Sequence, residues 1–187
     1  KTGLFNIGTP GQFIMGGFGA VYVGILWTSL GPAHWFVALL ASVVMGAVWG
    51  LVPGLLKAYY NVNEVIASIM MNYIGMYLVN WIVKSSKPLF NNLRNESRNV
   101  AATANIPKMG LDKIFPGSSV NGGIIIAIIV VILIYLLLNK TTFGYELKAV
   151  GFNRDASKYA GINEKKSIIM SMMIAGAIAG LAGGLLY

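Results

Sequence analysis

Residues 140–166 read KTTFGYELKAVGFNRDASKYAGINEKK, a polar stretch set between two long apolar runs. Its start and stop signals predict two short helices. The first covers 145–150 and stops at Gly151; the second follows Asn153 as N-cap, covers 154–160 and stops at Gly161. A slack linker would not carry such punctuation, and we read the stretch as a cytoplasmic docking element.

The flanking runs decide the class. The chain is 56% hydrophobic and 11% charged, with a mean hydropathy of +0.69, whereas a soluble domain is about one quarter charged. The fold expected is all-α, a polytopic transmembrane helix bundle with about five spans of roughly twenty residues each. The formal charge of +8 sits in loops between apolar runs, where it sets topology and meets lipid headgroups, so nucleic acid is excluded as a partner. The absence of cysteine rules out a disulfide framework, and a single histidine leaves no metal site. The chain starts at Lys1 without a methionine and ends directly after an apolar run, so a single transmembrane domain, a fragment of a longer protein, is expected.

In order, residues 1–12 are apolar but broken by Gly3, Gly8, Pro10 and Gly11; they form either an interfacial loop or a broken element inside the bundle. Spans are expected at about 13–30, 34–56, 63–83, 122–138 and 167–187. Three of them carry small residues four apart, Gly16/Ala20/Gly24, Gly46/Gly50/Gly54 and Gly176/Gly180/Gly184, a spacing that lets helix backbones approach closely. Gly31-Pro32 makes a turn, and Pro53 is expected to kink the end of the second span. His34 is read as an interfacial residue, and the fourth span as largely lipid-facing. Asn61 and Glu64 have capping-box spacing, which favours Glu64 as a helix-end carboxylate over an acid in a transport path.

In the third span, Asn72, Tyr73, Met76, Tyr77 and Asn80 fall on one arc at about 100° per residue. The stripe suits a substrate pathway or hydrogen bonding between helices, and the two readings stay open here. Residues 84–119, with Lys84, Lys87, Arg94, Arg98, Lys108 and Lys113 beside Glu96 and Asp112, read as an extramembrane loop with a short helix. Placing Lys1, Lys57 and the six basic residues of 140–166 on one side gives eight against six, a vote for that side being cytoplasmic and for 84–119 being extracytoplasmic. No phosphate loop, HExxH, GxSxG or acid cluster is present, so no enzymatic chemistry and no cofactor is expected, and uphill transport would draw its energy from another subunit. An enzyme with its active site in the external loop and an ion-coupled secondary carrier are the rival classes; neither accounts for the docking element.

The stretches GLFNIGTPGQ at 3–12, NEVIASIMMNYI at 63–74 and GYELKAVGFNRDASKYAGI at 144–162 together resemble the permease subunits of bacterial ABC importers of the branched-chain amino acid, ribose and nucleoside superfamily, nearest the nucleoside importers. The resemblance covers most of the chain. It implies a multi-pass protein of the bacterial cell membrane, and an ATP-binding subunit that receives 140–166 as an EAA-like coupling loop. It further implies a second permease subunit, a lipid-anchored extracytoplasmic binding protein and a small-molecule substrate, a nucleoside or else ribose or another simple sugar. Within that loop it implies coupling roles for Gly144, Glu146, Lys148, Ala149, Gly151, Asn153, Arg154, Asp155, Ala156 and Gly161, the small residues for seating and Lys148, Arg154 and Asp155 for rim contacts. The sequence departs at Pro10, where many relatives carry an acid, so no ligand role is carried to that position.

Overall fold

The computed structural model describes residues 3–92, 94–111 and 121–186. Among them are seven α-helices: α1 (Thr9–Leu26), α2 (His34–Tyr60), α3 (Glu64–Ser85), α4 (Gly123–Lys140), α5 (Thr142–Phe152), α6 (Arg154–Tyr159) and α7 (Glu164–Leu186). The only sheet described is the hairpin β1 (Phe90–Asn91) with β2 (Glu96–Ser97). The all-α bundle is as expected. By length and composition, four helical stretches can cross a membrane: Thr28–Tyr60, Glu64–Ser85, Gly123–Lys140 and Glu164–Leu186.

The helix read as the first of five spans, α1, is not among those four. Thr9, Pro10 and Gln12 make its first turn polar, and along the rest of its length Met15, Gly16, Gly19, Ala20 and Val23 are all buried against protein. It also begins at Thr9, earlier than residue 13, because Pro10 falls in the first turn, where its missing N–H has no partner to lose.

The core is the meeting of α1, α2 and α7. Lipid tails are as apolar as leucine, so these helices associate through close packing rather than through expulsion of water. The small residues that the sequence spaces four apart provide it. A methyl group on Gly46 would strike the Gly176 carbonyl and lie 2.6 Å from Gly180 Cα. One on Gly16 would strike Gly180, and one on Gly183 the Phe13 carbonyl. Gly24 departs from the pattern, lying against Val100 and Ala104 of the long loop instead of another helix. Pro53 stands inside α2, which continues to Tyr60. As expected, α4 is almost bare, with Gly123 its one buried residue.

Two ends of the bundle can be told apart. At one, His34 is fully buried, a correction to its reading as an interfacial residue. Its Nε2 lies 3.0 Å from the Val23 carbonyl and its Nδ1 2.8 Å from the Thr103 hydroxyl. A carbonyl only accepts, so Nε2 donates to Val23, while Nδ1 and the Thr103 hydroxyl share the second hydrogen bond. The imidazole thus ties α1, α2 and the long loop together, helped by the Ala101 N–H donating to the Gly24 carbonyl at 3.0 Å. Gly31, in the 3-10 turn before α2, takes φ +57°. The loop holds the hairpin and a short 3-10 turn at Ala102–Ala104; Asp112, Lys113 and the rest of 112–120 lie outside the described residues. At the other end, Gly3, Lys57, Glu64 and Gly151–Arg154 line one crevice, so the three segments counted together in the charge argument do share a side.

Substituting Gly180→Val should lower stability by about 3 kcal/mol or more through overpacking against the α2 backbone, while Ala182→Val on the exposed face of the same helix should change it by less than about 0.5 kcal/mol. Unfolding of the full-length protein in detergent, followed by loss of helical signal, measures both.

Candidate functional site

The polar element 140–166 hangs between α4, the barest of the long helices, and α7, which is deeply set in the core. It starts with a tight corner: the Thr141 hydroxyl donates to the Leu137 carbonyl at 2.6 Å and accepts from the Gly144 N–H at 3.0 Å. Any side chain at Gly144 would collide with the Leu137 and Leu138 carbonyls, so this glycine is buried in the α4–α5 joint rather than available to a partner. From there α5 buries Gly144, Leu147 and Val150, spaced three apart along one face.

The sequence reading stops the first helix at Gly151. The helix in fact runs through Gly151 to Phe152 and ends where Asn153 takes an extended φ of −156°. Gly151 belongs to the inner face, with its carbonyl 3.4 Å from where a Gly3 Cβ would lie. The second helix is as expected. The Asn153 side chain accepts from the Ala156 N–H at 3.0 Å, capping α6. Gly161 ends the turn at φ +80°, with Gly161 N–H donating to the Lys158 carbonyl and Ile162 N–H to the Ser157 carbonyl, each at 3.0 Å, a Schellman motif.

Between α5 and α6 lies an open groove of about 520 Å³, floored by Ala149, Ala156 and Ala160 and flanked by Tyr145, Glu146 and Phe152. Phe152 is 90% and Tyr159 94% exposed. Of the sequence-predicted coupling residues, the fold gathers Glu146, Ala149, Asn153 and Ala156 around this groove. Lys148 donates to the Asn139 side chain at 2.8 Å, Asp155 is exposed, and Arg154 turns to the crevice on the other side.

The third-span stripe divides. Asn72 is half-buried: its amide donates to the Ile7 carbonyl and its oxygen accepts from the Gly11 N–H, both at 2.9 Å. It therefore satisfies one carbonyl of the broken stretch before α1 and one free N–H of the first turn of α1, which seats that stretch inside the bundle. Asn6 and the buried Gln12 brace it, Asn6 Nδ2 donating to Gln12 Oε1 at 3.0 Å. This amide clasp was missed as a site; the available signal was two amides inside a glycine-broken apolar run. Tyr73, Tyr77 and Asn80 lie exposed further along α3, with Met76 half-buried, while the opposite face rests Gly75 on Trp49, whose Nε1 donates to the Met71 carbonyl at 3.2 Å.

At the head of α3, the N-cap is Asn63, accepting from the Val65 N–H at 2.9 Å. Asn61, expected in that role, is the left-handed C-cap of α2 at φ +52°. Glu64 pairs with Lys57 at 2.9 Å.

Over residues 1–187 the chain matches the family model described as branched-chain amino acid transport system, permease component. The chain belongs to this permease family. It is 40% identical to the guanosine ABC transporter permease protein of Bacillus subtilis over 99% of this chain and 52% of the relative. It is 37% identical to a nucleoside ABC transporter permease protein of Lactococcus lactis over 100% of this chain and 52% of the relative. A glucose ABC transporter permease protein of Haloferax volcanii is 28% identical over 98% of this chain and 50% of the relative. The chain thus spans about half the length of the curated relatives it matches. No solved structure matches it. Permease membership and four apolar helices make it a multi-pass membrane protein.

Replacing Asn72 with Ala leaves the Ile7 carbonyl and Gly11 N–H unpaired and should cost about 1–3 kcal/mol, whereas Tyr77→Phe, on the exposed part of the stripe, should leave stability within about 0.5 kcal/mol. Denaturation of the two full-length variants beside the parent checks both.

Proposed function

We propose that this chain forms part of the transmembrane pathway of an ATP-driven nucleoside importer in the bacterial cell membrane. A separate ATP-binding subunit seats against the groove between α5 and α6. A second permease subunit pairs with this one, and a lipid-anchored extracytoplasmic protein delivers the solute to the end capped by the long loop. ATP hydrolysis belongs to the separate subunit, and this chain is not an enzyme.

The observation that carries the reading is the α5–α6 surface. A concave, alanine-floored groove beside a phenylalanine and a tyrosine nearly free of contacts has the form of a protein-docking surface. The nucleoside assignment draws on the names of the relatives at 40% and 37% identity. A simple sugar is the second reading, favoured by the glucose permease at 28%. Both solutes suit the exposed amide and hydroxyl groups of Asn80, Tyr73 and Tyr77, which supply hydrogen bonds and ring contacts without a charge.

The test is uptake of labelled guanosine, uridine, ribose and glucose by cells carrying the full-length gene, with and without Ala149→Trp plus Ala156→Trp. Two indoles fill the groove floor. ATP-dependent nucleoside uptake that falls by more than about tenfold at unchanged membrane level is expected, since a clash at a docking surface costs several kcal/mol. Uptake unchanged by the two tryptophans would sink the docking assignment, and uptake of sugars alone would move the substrate.

A further inference from the structure

Glu64 and Lys57 are each 16% exposed, yet the turn they span does not need them. Asn61 closes α2 in the left-handed conformation with the Val62 N–H on the Leu56 carbonyl, and Asn63 caps α3 with its own side chain. An ion pair beside an open crevice adds little stability, so its place here calls for another explanation.

The crevice they line supplies it. Across about 450 Å³ it faces Val150–Arg154, the joint of α5 and α6, with Gly3 and Leu4 at its floor. Glu64 is the sole acid in the crevice wall, against two cations. Lys57 holds the carboxylate at 2.9 Å, and Arg154 lines the same crevice without an ion pair to it. On the membrane side, Glu64 heads the helix whose Asn72 clasps the start of α1.

We infer that Glu64 is a positioning residue for transport: as the α5–α6 element shifts, its carboxylate passes from Lys57 to Arg154 and draws the head of α3 with it. The inference rests on the docking reading above and deepens it, giving Arg154 a place inside the permease instead of on the ATPase rim. One carboxylate between two cations is a two-state element, which is what coupling between a docking surface and a helix requires.

The test uses the full importer, with its ATPase, second permease and binding protein, reconstituted in liposomes. Glu64→Gln and Arg154→Gln should each lower uptake roughly tenfold in assembled complexes, and Glu64→Arg combined with Arg154→Glu should restore most of it. Lys57→Gln, which frees the carboxylate for Arg154, should raise ATP hydrolysis without substrate by roughly threefold. A merely structural ion pair predicts the opposite pattern: equal effects for Lys57→Gln and Glu64→Gln, and none for Arg154→Gln. Parental uptake by Arg154→Gln, or a charge swap no better than its single changes, overturns the inference. If single variants fail to assemble, cross-linking of Glu64→Cys with Arg154→Cys decides, since this chain carries no cysteine of its own; the yield should rise in the nucleotide-trapped complex, and an unchanged yield overturns the handover. Failure of the unmodified permease to retain the ATPase overturns the docking reading itself and is seen before any variant is made.

Discussion

Everything else in this chain depends on the contact between the backbones of α2 and α7 at Gly46, Gly176 and Gly180. There the two helices are so close that a single methyl group would meet main-chain atoms of the partner. In a hydrocarbon solvent, exclusion of water does not press helices together, and stability comes from dispersion between surfaces that fit. Glycine ladders give that fit along several turns, and α1 joins the same seam through Gly16 and Gly183. With three helices locked this way, the others are placed by what the seam leaves open. α3 rests its Gly75 on Trp49 of α2, and α4 stays outside the seam with Gly123 its one buried residue.

How much of this was legible follows from which forces are local. The ladders were, because a four-residue period of small residues has one common use within a membrane helix. The second short helix of the docking element was also legible, since Asn153 and Gly161 act within a few residues of themselves. Gly151 was misread for the complementary reason. Glycine costs a helix only about 1 kcal/mol against alanine, and the inner face of α5, packed on the far-off N-terminal stretch, overrides that penalty. His34 was misread because its partners, Val23 and Thr103, come from an earlier helix and a distant loop. Asn61 and Asn63 differ by two positions in the same turn. Spacing to Glu64 pointed to the first, but α2 runs on to Tyr60, leaving Asn61 to close it.

The candidate site shows the same division. That the polar element between two spans should fold as two short helices was readable from its punctuation. Which of its residues face outward was not, because that depends on the corner at Thr141 and Gly144, which sets the rotation of α5. Once Leu147 and Val150 are turned inward, Ala149 and Ala156 must share the outer groove, while Gly151 and Arg154 fall on the inner side. The amide stripe of α3 was read as one feature and is two, since Asn72 lies where the broken stretch before α1 needs hydrogen bonds and Tyr77 lies beyond it.

The mechanical consequence is directional. α5 and α6 meet at one extended residue, Asn153, with a cap on one side and the end of a helix on the other, so the joint can bend without unwinding either helix. Along the chain the joint connects in two directions. Toward α4 the corner is stiff, but that helix has few protein neighbours to push against. Toward α7 the Schellman turn at Gly161 leads after three residues into the helix that carries Gly176 and Gly180. A seam packed backbone to backbone deforms little and passes displacement on as a rigid body. The element 140–166 is therefore tied along the chain more firmly to the packed core through α7 than to the rest of the bundle through α4.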